Sequence, residues 1–202
     1  DAKVARSSQA PTGAAFIYVN DVNGENAIIV VPGAAGDISI TDVEAEAETI
    51  RSSRVFVTQL EQPAAAALRA LEIARAARVI TIFNPAPAAP FDPAIYPLVD
   101  YITPNESEAA AMVGFSVESV DDAKRAGDVL LSKGVGVALI TLGEKGALFH
   151  AKDQSTLVPA FHVAPVIETA GAGDAFNGGF AAALAEGQAP LAAARFGCAV
   201  AG

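Results

Sequence analysis

The chain is short of cations, cysteine and histidine, and each shortage closes off a class of function. Thirteen lysines and arginines stand against 23 aspartates and glutamates in 202 residues, a formal net charge of −10. No basic stripe is available to neutralise a phosphate backbone, so a nucleic-acid partner is not expected. Any phosphate this chain binds must be held by backbone amides, single cations or metal ions. The one cysteine, Cys198, excludes an internal disulfide and suits a reducing, cytoplasmic compartment. It lies in an apolar helical stretch and reads as a packed thiol. Two histidines, His150 and His162, without a cysteine pair leave zinc no ligand set, and both read as structural. No apolar run approaches the length of a membrane span and no signal-peptide pattern is visible, so no membrane partner is expected. Internal repeats, low-complexity tracts and a Gly-Lys-Ser/Thr phosphate loop are also missing.

What is present begins with a 52% hydrophobic composition and scattered charges, the profile of one folded domain. Residues 14–20 and 26–31 read as strands flanking an Asn23-Gly24 hairpin turn, with Pro32-Gly33 closing the unit. Such a hairpin is not stable alone and needs a partner. Beyond Asp37 helices and strands alternate. Thr41 is expected to cap a helix through Ser52, with Glu44 completing a capping box. Strands are expected over 54–60, 78–83, 99–103 and 136–141, and over 147–150 and 156–163. Helices are expected over 64–77, 105–113 and 121–133, with two more closing the chain. Residues 84–93 hold four prolines and read as a rigid loop. Strands separated by helices imply an α/β fold around a largely parallel sheet.

The densest signal is Glu168-Thr169-Ala170-Gly171-Ala172-Gly173-Asp174. From Asp174 onward Phe176, Phe180, Ala183 and Leu184 recur at helical spacing, and Gly187 ends that helix. A small-residue loop therefore feeds a helix N-terminus with a carboxylate in its first turn. Free amides and the helix dipole make such a place an anion site, and the carboxylate could take a proton from a hydroxyl. An ordinary helix start with sterically convenient glycines explains the same residues equally well.

Other polar residues fall directly after strands: Gln59 and Glu61, Asn84, Asn105, then Thr141 and Gly143. In an open α/β sheet these positions and the Gly171 loop share the rim where ligands bind. Asn105 and Glu108 stand one turn apart, which fits either a capping box or an acidic pair ordering water around magnesium. Thr141-Leu142-Gly143-Glu144-Lys145-Gly146 reads as a tight turn that could approach a polyphosphate.

These residues resemble the PfkB-type carbohydrate kinase family. The run from Thr169 to Asp174 is similar to its carboxy-terminal signature. Gln59-Leu60-Glu61, Asn84-Pro85-Ala86-Pro87-Ala88, Thr103-Pro104-Asn105-Glu106-Ser107-Glu108 and Thr141-Leu142-Gly143 resemble its ribose-phosphorylating branch. The resemblance implies a ribokinase-like α/β fold, with residues 12–34 forming part of a β lid and 35–202 an incomplete sugar- and nucleotide-binding core. It implies ATP-dependent phosphorylation of D-ribose to D-ribose 5-phosphate. Asp174 would be the general base, and Gly171, Ala172 and Gly173 the anion hole. Glu61 would bind sugar hydroxyls, with Ala15 and Ile17 of the lid covering the sugar. Asn105, Thr141, Gly143, Glu144, Lys145, Gly146 and Gly173 would contact ATP, and Glu108 would help place Mg2+ through water. Glu168, where the family motif has Asp, and the carbonyl of Ala170 would serve a monovalent cation such as K+. The lid would pair with that of a second subunit in a homodimer. Another sugar or a nucleoside as acceptor, and a non-catalytic binding relative, are the alternative expectations. The chain opens at Asp1 and stops inside a helical pattern, so the family's glycine-rich sugar motifs and last nucleotide contacts are expected outside it, and the stretch alone is expected to be inactive.

Overall fold

The computed structural model describes residues 4–19, 26–161 and 169–202. Within them β1 (Thr12–Val19) and β2 (Asn26–Gly33) form an antiparallel pair, with Phe16 opposite Ile29 and Ile17 opposite Ile28. The expected turn at Asn23-Gly24 lies outside the described residues, as does His162. Thr12 pairs with Gly33, so the ladder takes in Pro32 and closes at Gly33. Large apolar side chains on both faces of this pair are exposed, among them Phe16, Ile17, Tyr18, Ile28 and Ile29.

The second sheet has the order β3 (Val55–Thr58), β4 (Ile80–Phe83), β5 (Tyr101–Ile102), β6 (Val137–Thr141), β7 (Ala147–Ala151), β8 (Gln154–Val158). The β3–β6 pairings are parallel, and β6–β7 and β7–β8 are antiparallel. The sheet is therefore mixed. The turns before β7 and β8 are too short for a crossover, so the chain can only fold back on itself there.

Seven helices are described: α1 (Ile40–Ala45), α2 (Ala47–Ser52), α3 (Ala64–Ala76), α4 (Glu106–Val113), α5 (Val120–Ser132), α6 (Ala172–Ala185) and α7 (Pro190–Ala201). The first two correct the expectation of one helix capped by Thr41. Ser39 is the cap: its hydroxyl accepts from the Asp42 amide at 3.2 Å while the Asp42 carboxylate accepts from the Ser39 amide at 2.8 Å. Thr41 already lies inside the first turn, and the helix breaks at Glu46. A 3-10 segment at Pro93–Leu98, capped by Asp92, extends beyond the expected rigid loop. Arg78 adopts φ 59°, turning the chain from α3 into β4 within three residues.

Adjacent strand residues point to opposite faces of the sheet, and so divide the core in two. Phe83, Ile102 and Ile140 join Leu71 and Leu130 under α3, α4 and α5. Their neighbours Ile82 and Leu139 join Phe149, Phe176, Phe180 and Cys198 under α6 and α7. Phe180 anchors the second layer, its ring 5.0 Å from that of Tyr101 in an edge contact. His150 on β7 is buried, with Nε2 3.0 Å from Asp128 Oδ1 and Nδ1 3.0 Å from Ser155 Oγ. Its imidazole lies against Gly127 of α5. Both ring nitrogens are spent on these ties, which is a structural role. No helix among the described residues is long and apolar enough to cross a membrane.

Candidate functional site

Because β3 to β6 run parallel, their carboxyl ends form one rim, and the start of α6 meets it. Gly171 precedes the helix in the left-handed region, at φ 78°, which a residue with a Cβ reaches only under strain. Its carbonyl accepts from the Ala175 amide at 2.9 Å, and the Thr169 carbonyl accepts from Ala172 at 3.2 Å. The amides of Gly173 and Asp174 make no hydrogen bond within the described residues. They are orphan donors at the positive end of a 14-residue helix. A Cβ built on Gly171 or Gly173 would meet nothing within 4 Å among the described residues, so the space beside these two Cα atoms is open.

Asp174 is exposed in the first turn of α6, and Gln59, just past β3, directs Nε2 at its Oδ1 from 3.4 Å. Val57, Gln59, Asn84, Asp174, Asn177 and Gly178 line one cleft of about 380 Å³. Beneath it three buried polar side chains join in sequence. Asn84 Nδ2 donates to the Thr103 carbonyl at 2.7 Å, and the Thr103 hydroxyl donates to Asn177 Oδ1 at 2.7 Å. Asn177 Nδ2 then donates to the Gly173 carbonyl at 3.0 Å. Neither Thr103 nor Asn177 stands out in the sequence as a site residue, although a polar Asn inside the apolar stripe of α6 is a signal.

Asn105 caps α4, its Oδ1 accepting from the Glu108 amide at 2.8 Å while Glu108 Oε2 accepts from the Asn105 amide at 2.9 Å. The capping box is thus formed. Glu108 is nevertheless buried, and desolvation raises its pKa above the ordinary 4.5 against the opposing pull of the Asn105 amide. Among the described residues no cluster of three or more His, Cys, Asp or Glu is placed to hold a metal by itself. A lone desolvated carboxylate fits an ion such as magnesium, which keeps most of its waters and takes few protein ligands.

The turn after β6 is a single 3-10 turn, Gly143–Lys145. Its approach to α4 is direct: the Thr141 amide donates to the Pro104 carbonyl at 3.0 Å. Thr141 and the loop leading into Asn105 are therefore neighbours at the ends of β6 and β5, while Gly146, whose amide donates to the Gly143 carbonyl at 3.0 Å, lies against the end of β8. Glu144 is exposed, and Lys145 Nζ is tied to the Glu118 carbonyl at 3.1 Å. Glu61 is exposed on the turn after β3 and does not line the Asp174 cleft, and neither do the exposed Ala15 and Ile17 of the hairpin. Ala170 is half-buried before the loop, and Glu168 lies outside the described residues. A larger hollow, about 630 Å³, opens between the 84–93 loop and α4. It is walled mainly by prolines, alanines, Phe91, Tyr96 and Met112, with Glu108 and Lys133 as its charged members, while Gln59, Asn84, Asp174 and Asn177 line the smaller cleft.

The sequence model of the pfkB family carbohydrate kinases matches residues 1–202. The ribokinase of Staphylococcus aureus is 39% identical over 189 residues, covering 94% of this chain and 62% of its own length. The Haemophilus influenzae ribokinase is 39% identical over 194 residues, covering 96% and 63%. The chain thus spans less than two thirds of these relatives. A deoxyribokinase of Salmonella typhi is 37% identical over 171 residues, covering 84% and 55%. The crystal structure of a Thermotoga maritima ribokinase superposes with a TM-score of 0.83 at 36% identity, over 95% of this chain and 62% of that one. The Arabidopsis thaliana ribokinase complexed with ribose and ATP gives 0.84 at 26% identity, over 96% and 62%.

Proposed function

The chain belongs to the pfkB family of carbohydrate kinases, and from that premise we propose that it serves transfer of the γ-phosphoryl group of ATP to the primary hydroxyl of a small sugar, D-ribose first. The observation that carries this reading is the loop before α6. There the amides of Gly173 and Asp174, without a hydrogen bond among the described residues, and the open space beside the glycine Cα atoms lie next to the exposed Asp174 carboxylate, in a cleft shared with the ends of β3 and β4. Asp174 takes the proton from the acceptor hydroxyl, and the alkoxide oxygen forms the new bond to phosphorus as the bond to ADP breaks. The backbone of Gly171, Ala172 and Gly173 stabilises the transferring group. Catalysis is then positioning plus charge stabilisation, the usual requirement of phosphoryl transfer.

Around that centre Glu61 binds sugar hydroxyls, and residues 12–34 act as part of a lid whose Ala15 and Ile17 cover the sugar. Residues 35–202 contribute the core. Asn105, Thr141, Gly143, Glu144, Lys145, Gly146 and Gly173 receive ATP, and Glu108 helps place magnesium through water. Glu168 and the Ala170 carbonyl serve a monovalent cation. The hairpin's two exposed apolar faces, with Ile17, Val30 and Ile28 on one and Phe16, Ile29 and Tyr18 on the other, suit a lid that meets both a sugar and a second copy in a cytoplasmic homodimer.

Ribose is preferred because Glu61 and the 84–88 loop resemble the ribose branch and because relatives bearing the name ribokinase reach 39% identity. Deoxyribose is the second reading, favoured by the deoxyribokinase at 37%. The test is kcat/KM over ribose, deoxyribose, fructose and adenosine with the complete gene product. Ribose ranking first supports the proposal, and another acceptor ranking first overturns the preference. Calorimetric sugar binding without ATP turnover would replace the kinase by a binding protein.

A further inference from the structure

Asn177 lies one helical turn after Gly173, and the residue is 7% exposed. Its orientation follows from its two partners. The Gly173 carbonyl can only accept, so the Asn177 amide nitrogen must face it, at 3.0 Å. Oδ1 then faces Thr103, whose hydroxyl must donate, at 2.7 Å. Thr103 is 2% exposed at the end of β5, and its own carbonyl is held by Asn84 from the end of β4. The first turn of α6 is thereby fastened to two strand ends through two buried hydrogen bonds and the half-buried one to Gly173. That turn carries the orphan amides and Asp174. At the far end of α6 Arg54 donates to the Ala185 carbonyl at 2.9 Å, while the core contacts between the two ends are apolar, and such contacts resist separation more than they resist rotation or sliding. A directional link is what fixes the angle at which the turn faces the rim.

We propose that Thr103 and Asn177 are positioning residues for the phosphoryl-transfer loop: their buried hydrogen bond sets where Asp174 and the Gly173 amide stand relative to the acceptor. This rests on the phosphoryl-transfer reading of the site. Thr103 is buried behind the cleft, and Asn177, which lines it, spends its side-chain oxygen on Thr103 and its nitrogen on the Gly173 carbonyl. A shift of about 1 Å in a reacting group costs on the order of 100-fold in rate even when its cause is remote.

Thr103→Val keeps the shape, removes the donor and leaves Asn177 Oδ1 unpaired. In the complete gene product kcat should fall roughly 10- to 100-fold while KM for sugar and ATP changes little. Thr103→Ser, which retains the donor, should restore kcat to near the parent value. Should Thr103→Val not accumulate as folded protein, Asn177→Ser reads the link from its other end, with the same expected loss. A role confined to stability would lower the melting temperature and leave kcat per folded molecule unchanged, and that result overturns the proposal. So does a kcat loss that Thr103→Ser fails to recover. A parent protein without kinase turnover overturns the reading of the site, and this proposal with it, which separates the two failures.

Discussion

Gly171→Ala and Gly173→Ala each add one methyl carbon to the loop before α6, with opposite expected consequences. Gly171 sits at φ 78°, so an alanine there is strained although nothing crowds it. The left-handed conformation costs a residue with a Cβ roughly 1–2 kcal/mol. At about 2–4 °C per kcal/mol for a domain of this size, the melting temperature should drop by about 2–8 °C. Gly173 has no such backbone constraint, and its added Cβ would also meet nothing within 4 Å. Alanine is a better helix former than glycine by at most about 1 kcal/mol, so the fold should tolerate the change or gain slightly. Activity should not tolerate it, because the methyl group enters the space from which a phosphoryl oxygen reaches the orphan amides. Loss of one such donor in other enzymes costs on the order of 10²–10³ in kcat. Differential scanning calorimetry and a coupled ADP-release assay at saturating sugar and ATP, both on the complete gene product, read the two effects separately. A Gly173→Ala variant that is stable and turns over at the parent rate would refute the reasoning that an anion approaches there.

Three further outcomes test the packing and electrostatics. Gly127→Ala places a Cβ 2.5 Å from His150 Cδ2, and the imidazole is pinned at both nitrogens. Overpacking of about 1–3 kcal/mol should outweigh the helix-propensity gain and lower the melting temperature by a few degrees; an equal or higher value would show that the imidazole swings clear. Burial pushes the Cys198 thiol above its ordinary 9.0, so a thiol reagent such as DTNB should label it only after denaturation, and rapid labelling of native protein would contradict its packing. The Ser119 hydroxyl and amide hold the half-buried Asp122 carboxyl below its ordinary 3.8. A depressed carboxyl stabilises the fold above the unfolded value and loses that contribution as pH falls through the folded one. The difference in urea midpoint between the parent and Asp122→Ala should therefore hold from neutral pH down to about 3.8 and shrink below it; a pH-independent difference would contradict the assignment.

The order of helices and strands was legible because period and punctuation agree along most of the chain. Ala64–Ala76 has its apolar stripe and Gly134 follows α5, so those elements fall within a residue or two of expectation. The first helix was misread because Ser39 and Thr41 are both good caps, and only the backbone angles at Ser39 decide between them. The mixed character of the sheet was partly hidden, since strand direction depends on what a connection can span and not on the strand residues. At the site, local motifs placed the Gly171 loop at a helix start and the strand-end residues on one rim. The partners of Asn177 were not legible, because Thr103 lies 74 residues away and meets it only once β5 and α6 have packed. Glu108 shows the same limit: its spacing from Asn105 announces the capping box, whereas the burial that raises its pKa comes from tertiary packing.

The central claim is that Asp174 acts as the base of a phosphoryl-transfer site, and Asp174→Asn addresses it most directly. The substitution keeps size and hydrogen-bonding capacity beside Gln59 and removes the carboxylate. With D-ribose and ATP supplied to the complete gene product, kcat should fall by at least ~10²-fold, with both substrates still binding by calorimetry. Turnover close to the parent rate would contradict the account.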